Sequence, residues 1–416
     1  MSLPGRETTQ KLMSKKVAVL PTWFWPDRVA RTIGVPRFYL EEVFVEKWAD
    51  KEPTRVAVIA GGEAITYGAL RDQTSRTAGL IGERIEKKEG RVLIAAPSRR
   101  DALLLFLAAL QARCLVQVLP AARPEDIALF TPDLLIVDGD RPPDLDAARI
   151  SVLTSGEALR CATPPAAARG PVGMRDAAVA LPARDGLLAL HSHYGLLAGA
   201  VSFSTFMEMP EAAVMLLSHP LWSWAGLYSV LATLYVGGTV VVEETGDASQ
   251  WALAVERHRV HGLFLTDAQA AALTERAAKK TRSALQKSCR WVFVAVQGPF
   301  SARHRKKLRT LLGLPILTVY GLPETGPIAA SHPSWYIDEA VGIPLTNAEL
   351  RPVDPRSGQP VEVPWELVEF AAIEVKTPQM MLGYNSAQET QQRLRRRWFF
   401  TGALAAMDAN GMYYLL

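Results

Sequence analysis

Short runs of Val, Ile and Leu alternate along the chain with longer stretches whose apolar positions recur every three or four residues. This pattern predicts an α/β protein whose strands are mostly parallel and buried on both faces. Strands are expected at 56–60, 92–96, 115–119, 134–138, 214–217, 239–242, 263–266, 291–296 and 316–320, with helices filling most of the intervals. Asp101 is the expected N-cap of a helix over 102–113, which with its flanking strands reads as a right-handed βαβ crossover. After about Val341 the texture changes to Pro, Gly and short alternating runs such as 350–353 and 373–377, which predict a smaller antiparallel β unit.

The expected organisation is two βαβ-rich subdomains with mostly parallel sheets plus a smaller β-rich subdomain. Residues 1–30 read as an N-terminal extension, 31–170 and 171–340 as the two α/β subdomains, and 341–416 as the β-rich one. Pro and Ala clusters at 141–143 and 162–171 mark irregular connections, the second being the expected internal boundary. From Ala212 to Val242 no side chain is charged, a length that could span a bilayer. Pro220, Gly226 and the Gly237-Gly238 pair interrupt it, so strand, turn, helix, strand is the expected parse, with no membrane span.

With 416 residues, 49% hydrophobic and 21% charged, the chain can bury more than one core and falls outside the disordered class. Cys114, Cys161 and Cys289 are too few and too scattered for a disulfide framework or a zinc site, and the polar N-terminus lacks a secretory core, so a cytoplasmic setting is expected. The net charge of +4 is mildly basic, and its two cationic runs, 303–309 and 393–397, read as solvated faces or as contact surfaces; no nucleic-acid partner is expected. The seven histidines show no metal spacing, and no GxSxG elbow, GxxxxGK[ST] loop or GxGxxG turn is present.

Residues 318–326 read TVYGLPETG and resemble the YGxTE signature of the adenylate-forming superfamily of acyl-CoA synthetases, luciferases and peptide-synthetase adenylation domains. Matches follow in order. Residues 297–301 (QGPFS) resemble the GGAPLS turn, 341–344 (VGIP) the VGxP step, 353–358 (VDPRSG) a hairpin, 379–384 (QMMLGY) the MxGY element, 389–390 the ExT pair, 398–402 (WFFTG) the W(F/Y)xTGD motif and 408–411 (DANG) the DxxG turn. Upstream, 65–70 (ITYGAL) resembles LTYxEL and 219–226 (HPLWSWAG) resembles LPxFHxxG, with Ser192-His193 in the style of fatty-acid and aryl-acid CoA ligases.

The resemblance implies the large N-terminal domain of an acyl-CoA synthetase. It makes Glu324 the catalytic, Mg²⁺-binding position and places Gln297, Gly298, Pro299, Tyr320, Gly321, Pro323 and Thr401 at the nucleotide. It puts Trp222, Ser223, Trp224, Gly226, Phe300 and Leu322 around the acyl pocket, and Ser223 holds the slot where the family commonly has His. ATP and Mg²⁺ are the implied cofactors, with CoA as a candidate acceptor. Implied partners are a small carboxylic acid or acyl-CoA, and a separate C-terminal domain or acyl-carrier protein.

The sequence departs from that pattern in three places. The phosphate-wrapping (S/T)SGTTGxPKG loop corresponds to 180–190, ALPARDGLLAL, which is shorter and offers only Arg184 and Gly186 where Lys and Gly would stand. The ribose-binding aspartate of TGD is Ala403. The chain closes at Leu416, where relatives continue into a small domain carrying a catalytic lysine. Three functions fit: a degenerate, pseudoenzyme-like protein that binds a carboxylic acid, acyl-CoA or adenylate; an active fatty-acid or aryl-acid CoA ligase using a divergent site or a separate C-terminal domain; and a non-catalytic interaction subunit touching its partner through 303–309 and 393–397.

Overall fold

The computed structural model describes residues 24–85, 89–139, 150–162, 173–244, 248–276, 279–299, 301–361 and 368–416. Most of the expected N-terminal extension, Phe300, the 141–143 cluster and nearly all of the 162–171 boundary lie outside these residues.

Among the described residues the strands form three sheets. The first has the order β15-β14-β13-β12-β11-β9-β10-β1-β2 and comprises β1 (Val56–Ala60), β2 (Glu63–Thr66), β9 (Val214–Leu217), β10 (Thr239–Val242), β11 (Gly262–Leu265), β12 (Trp291–Val296), β13 (Ile316–Leu322), β14 (Gly326–Ala330) and β15 (Ile343–Pro344). Its centre, from β1 to β13, is parallel, and the outer strands at both ends are antiparallel.

The second sheet, β18-β8-β7-β4-β3-β5-β6, contains β3 (Arg91–Ala95), β4 (Leu115–Leu119), β5 (Leu134–Val137), β6 (Ser151–Thr154), β7 (Ala177–Pro182), β8 (Leu188–Ser192) and the two-residue β18 (Gly383–Tyr384). The third is antiparallel, as the alternating texture predicts. It joins β16 (Glu349–Val353), β17 (Val368–Lys376), β20 (Trp398–Met407), β19 (Leu394–Arg395) and β21 (Tyr413–Leu415).

The expected strands recur with small shifts at their ends, because runs such as Val-Val-Val and Leu-Leu-Ile-Val suit buried parallel positions. The crossover from β3 to β4 is also present, through helix α1 (Arg99–Gln111). Its cap differs: Ser98, not Asp101, is the N-cap, and its hydroxyl accepts from Asp101 N at 3.2 Å. Glu244 draws Arg99 and Arg100 into the first turn by accepting their amides at 2.7 and 3.1 Å, so the helix begins earlier than Asp101 suggests.

The charge-free stretch folds as β9, helix α3 (Trp224–Tyr235) and β10; among the described residues no helix is long and apolar enough to cross a membrane. Helix α3 and its neighbour α2 (His193–Phe206) lie between the two large sheets. They share one core with Val92, Ile94 and Val116 on one side and Met215, Leu217 and Val240 on the other.

The cationic run 303–309 lies on helix α4 (Ala302–Leu312) and is no open basic face. Arg305 is fully buried, donating to the carbonyls of Ile316 at 2.7 Å, Ile337 at 3.1 Å and Ala340 at 2.9 Å and to Ser331 Oγ at 2.7 Å. Lys306 pairs with Glu339 and Arg309 with Asp338. Half of the run thus ties α4 to the chain that leaves β14.

Candidate active site

The three sheets meet around the turn between β13 and β14. Tyr320 is fully buried near the end of β13, and Gly321, Leu322 and Pro323 lead to Glu324, which is 2% exposed. In the register of the sheet Val296 of β12 stands beside Tyr320, so Gln297, Gly298 and Pro299 emerge next to Gly321 at the carboxyl ends of parallel strands. Ligands of open α/β sheets bind at such ends. The structure thus places Gln297, Gly298, Pro299, Tyr320, Gly321, Pro323 and Glu324 at the neighbouring ends of β12 and β13.

The second sheet supplies the wall opposite. Strands β7 and β8 form a tight hairpin: Ala183 N donates to Leu187 O at 2.8 Å, with Asp185 and Gly186 at positive φ. His191 on β8 is buried, and its Nε2–H donates to the Pro323 carbonyl at 2.6 Å. Burial lowers the His191 pKa to about 4, so the ring is neutral and holds the turn as a hydrogen-bond donor.

Strand β18 pairs with β8, Gly383 beside Leu190 and Tyr384 beside Ala189. This places the Tyr384 hydroxyl 2.7 Å from Glu324 Oε1, to which it donates, while Met381 N donates to Glu324 O at 2.8 Å. Gln379 holds the far side of the turn by donating to Thr325 O at 2.8 Å and to Pro327 O. Among the described residues Glu324 Oε2 has no hydrogen-bond partner. Burial, and then the bond to Glu324, push the Tyr384 phenol well above its ordinary value, so it stays a donor.

The third sheet brings Thr401, Gly402 and Ala403. Thr401 is buried, its hydroxyl donating to Ile373 O at 2.9 Å and accepting from Ala403 N at 3.1 Å, which occupies it within the sheet. Arg184, at the β7–β8 turn, donates from Nη2 to Thr401 O at 3.3 Å. Burial raises the Tyr320 phenol to about 12, with Thr401 and Arg184 pulling it back.

The residues assigned to an acyl pocket divide. Trp224 is buried with its ring 2.9 Å from where a Gly321 Cβ would stand, and Leu322 is buried on the same strand. Ser223 is the N-cap of α3: its hydroxyl accepts from Gly226 N at 3.1 Å and donates to Pro220 O at 2.8 Å. Both functions of that hydroxyl are spent on the backbone. Gly226 serves the same turn, since a Cβ there would lie 2.1 Å from Pro220 O. Trp222 is half-buried and packs against the second sheet's core.

Sequence reasoning missed Tyr228, one turn after Trp224. Its ring fills the gap between Gly199 of α2 and Gly326 of β14, 2.1 and 2.3 Å from where their Cβ atoms would lie. Among the described residues its buried hydroxyl has no partner. A Tyr on an apolar helix reads as core, and only the two distant glycines signal the slot. A separate cavity of about 840 Å³ lies between 24–35 and 343–351, near Trp398, and includes neither Tyr320 nor Glu324.

The donor set can be matched against a nucleotide with its metal. Glu324 offers a buried, unpartnered oxygen, which suits a divalent cation. Residues 401–403 offer no carboxylate to a diol, so a ribose does not fit there in the manner of a TGD aspartate. Among the described residues no group of three His, Cys, Asp or Glu converges to hold a metal alone.

A family model described as AMP-binding enzyme matches residues 45–132 and 188–385, well over half of the chain. The chain belongs to this family. Among its relatives, feruloyl-CoA synthase from Amycolatopsis sp is 26% identical over 393 residues, covering 88% of this chain and 76% of that protein. The 2-succinylbenzoate–CoA ligase of Geobacillus kaustophilus (strain HTA426) is 36% identical over 108 residues, 25% of this chain and 21% of that one.

ATP-bound MatB from Rhodopseudomonas palustris superposes with a TM-score of 0.80 at 21% identity, covering 91% of this chain and 78% of that one. The o-succinylbenzoate coenzyme A synthetase of Bacillus subtilis in complex with ATP and magnesium gives 0.77 at 21% identity, covering 90% and 79%. The protein is therefore acyl-CoA-synthetase-like in fold and family. The matched segment 188–385 begins at β8, just past the turn of the β7–β8 hairpin.

Proposed function

We propose that this AMP-binding family protein binds a carboxylic acid, its acyl-CoA or its acyl-adenylate, and that alone it carries out ATP-dependent adenylation poorly. The observation that carries this reading is Ala403 in the third sheet, where the TGD carboxylate would take both ribose hydroxyls. Two lost charge-assisted bonds of about 1.5–3 kcal/mol each amount to a loss of nucleotide affinity of two to four orders of magnitude. The β7–β8 hairpin adds to it, because a short paired turn cannot wrap a triphosphate as a flexible glycine-rich loop does.

Glu324 supports a second reading, that of an aryl-acid or fatty-acid CoA ligase with a divergent site, completed by a separate C-terminal domain or by an acyl-carrier protein as acceptor. Its carboxylate, which the resemblance makes the metal position, has one oxygen oriented by Tyr384 and the other open among the described residues. In that case Glu324 would hold Mg²⁺, whose positive charge would offset the negative charge of the phosphates. The Tyr384 hydroxyl would hold the carboxylate in place, and His191 would fix the turn that carries it.

Titration calorimetry with ferulate, a fatty acid, ATP–Mg²⁺ and AMP distinguishes the two. Acid binding with no ATP affinity tighter than millimolar supports the first. Micromolar ATP–Mg²⁺, or pyrophosphate exchange that depends on an acid and is lost in Glu324→Gln, establishes the second and removes the first.

A further inference from the structure

We propose that Arg184 and Arg393 form a phosphate clamp over Gly402, so that this cleft recognises its ligand by a phosphate group rather than by a ribose. The two arginines come from different sheets and opposite parts of the sequence. Arg184 sits at the turn between β7 and β8, and Arg393 ends the helix Ala387–Arg393 that leads into β19. Yet their Nη1 atoms converge on one point, 3.6 and 3.1 Å from where a Gly402 Cβ would stand. Gly402, at φ +75° and the one exposed residue of β20, leaves that point open, and any side chain there would fill it.

Two like charges brought to one point repel unless an anion completes the arrangement. Among the described residues the one hydrogen bond to either guanidinium runs from Arg184 Nη2 to the Thr401 carbonyl. That bond aims the Arg184 fork and consumes none of the second nitrogen. The Arg393 guanidinium has no hydrogen-bond partner among the described residues. Planar guanidinium forks match phosphate oxygens two at a time, which a single loop lysine cannot do.

The surroundings fit a phosphate and not a diol. Both arginines act electrostatically on the Tyr384 phenol, whose hydroxyl is bonded to Glu324, so the clamp adjoins the open oxygen suited to Mg²⁺. Ala403, the next residue, offers a sugar nothing. The clamp replaces by two side chains what a phosphate loop supplies with amides, hydroxyls and lysine. Its location rests on reading this cleft as the seat of the acyl ligand, but its chemistry does not depend on which acid is bound.

The test is calorimetric titration of the full chain with pyrophosphate, ATP and adenosine, and of Arg184→Gln, Arg393→Gln and, as a control in the same cationic run, Arg397→Gln. Wild-type protein should bind pyrophosphate, with ATP no tighter than millimolar, and each clamp substitution should weaken pyrophosphate binding by tenfold or more. Arg397→Gln should leave it unchanged, and adenosine should not respond to any of the three.

All three side chains are at or near the surface, so thermal melts of the variants should match wild type. Equal affinity for pyrophosphate and ATP assigns the clamp to the free anion, and tighter ATP assigns it to a nucleotide. Failure to bind pyrophosphate, or binding that survives both clamp substitutions, overturns the proposal. Ferulate titrated in parallel reports on the acid site: its binding without pyrophosphate binding sinks the clamp alone.

Discussion

His191 donates from Nε2 to the carbonyl of Pro323 across 2.6 Å, joining the second sheet to the turn that carries Glu324. The bond requires a proton on Nε2, and burial keeps the ring otherwise neutral. Burial holds His191, His193 and His219 alike at a pKa of about 4, against about 6.5 for an exposed imidazole.

The unfolded chain therefore takes up protons between pH 6.5 and 4 that the folded chain refuses. Stability from these rings is complete above pH 6.5 and falls as pH drops toward 4, by on the order of 3 kcal/mol per histidine. Urea midpoints at pH 7, 6 and 5 should decline together with pH, and His191→Gln should flatten that decline. A midpoint constant from pH 7 to 5 would show the rings to be solvated.

Restoring the missing ribose acid is a direct gain-of-function test. Ala403 packs beside the cluster that contains Tyr320, two residues after Thr401. Ala403→Asp should raise AMP affinity by about tenfold to a hundredfold, the worth of one charge-assisted bond. Equilibrium dialysis with labelled AMP reads the change, and no gain would mean that the sugar does not lie at this strand.

Tyr228 carries a buried hydroxyl with no partner among the described residues. Removing the oxygen while keeping the ring should stabilise the fold, so Tyr228→Phe is expected to gain about 1 kcal/mol in chemical denaturation. Gly326→Ala should do the reverse by several kcal/mol, because its Cβ would lie 2.3 Å from the same ring on a backbone at φ +61°. A destabilised Tyr228→Phe would reveal a hydrogen bond to that oxygen.

Arg305 should be the most sensitive residue of the 303–309 run. Arg305→Met leaves the carbonyls of Ile316, Ile337 and Ala340 without their donor and Asp338 without one of its cations, a loss of about 3–5 kcal/mol. Lys307→Gln, in the same run, should change stability by less than about 0.5 kcal/mol. Thermal melts of the pair distinguish a structural pin from a general charge effect.

Much of this was legible in the sequence, and the limits have physical causes. The strands are legible because β-branched runs buried on both faces leave little choice, and the ordered motifs place Tyr320 and Glu324 on one turn. Cap chemistry is less legible: Ser98 and Asp101 are both capping residues, and Glu244, more than a hundred residues on, decides between them. Ser223 invites comparison with a ligand-lining histidine, but its extended backbone at φ −101° makes it a cap. Arg393 sits inside a run that reads as solvated surface, and its approach to Arg184 depends on pairings between sheets that no local pattern encodes.

The two-residue strand Gly383–Tyr384 has a consequence for how the molecule matures. It is the last part of the chain to join the second sheet, pairing with a strand nearly two hundred positions earlier, and it delivers the hydroxyl that steadies Glu324. Contacts of such long loop closure form late. A nascent chain can therefore assemble most of its parallel core while the carboxylate turn is still unbraced, and ligand affinity should emerge in refolding only after the bulk of the secondary structure has returned.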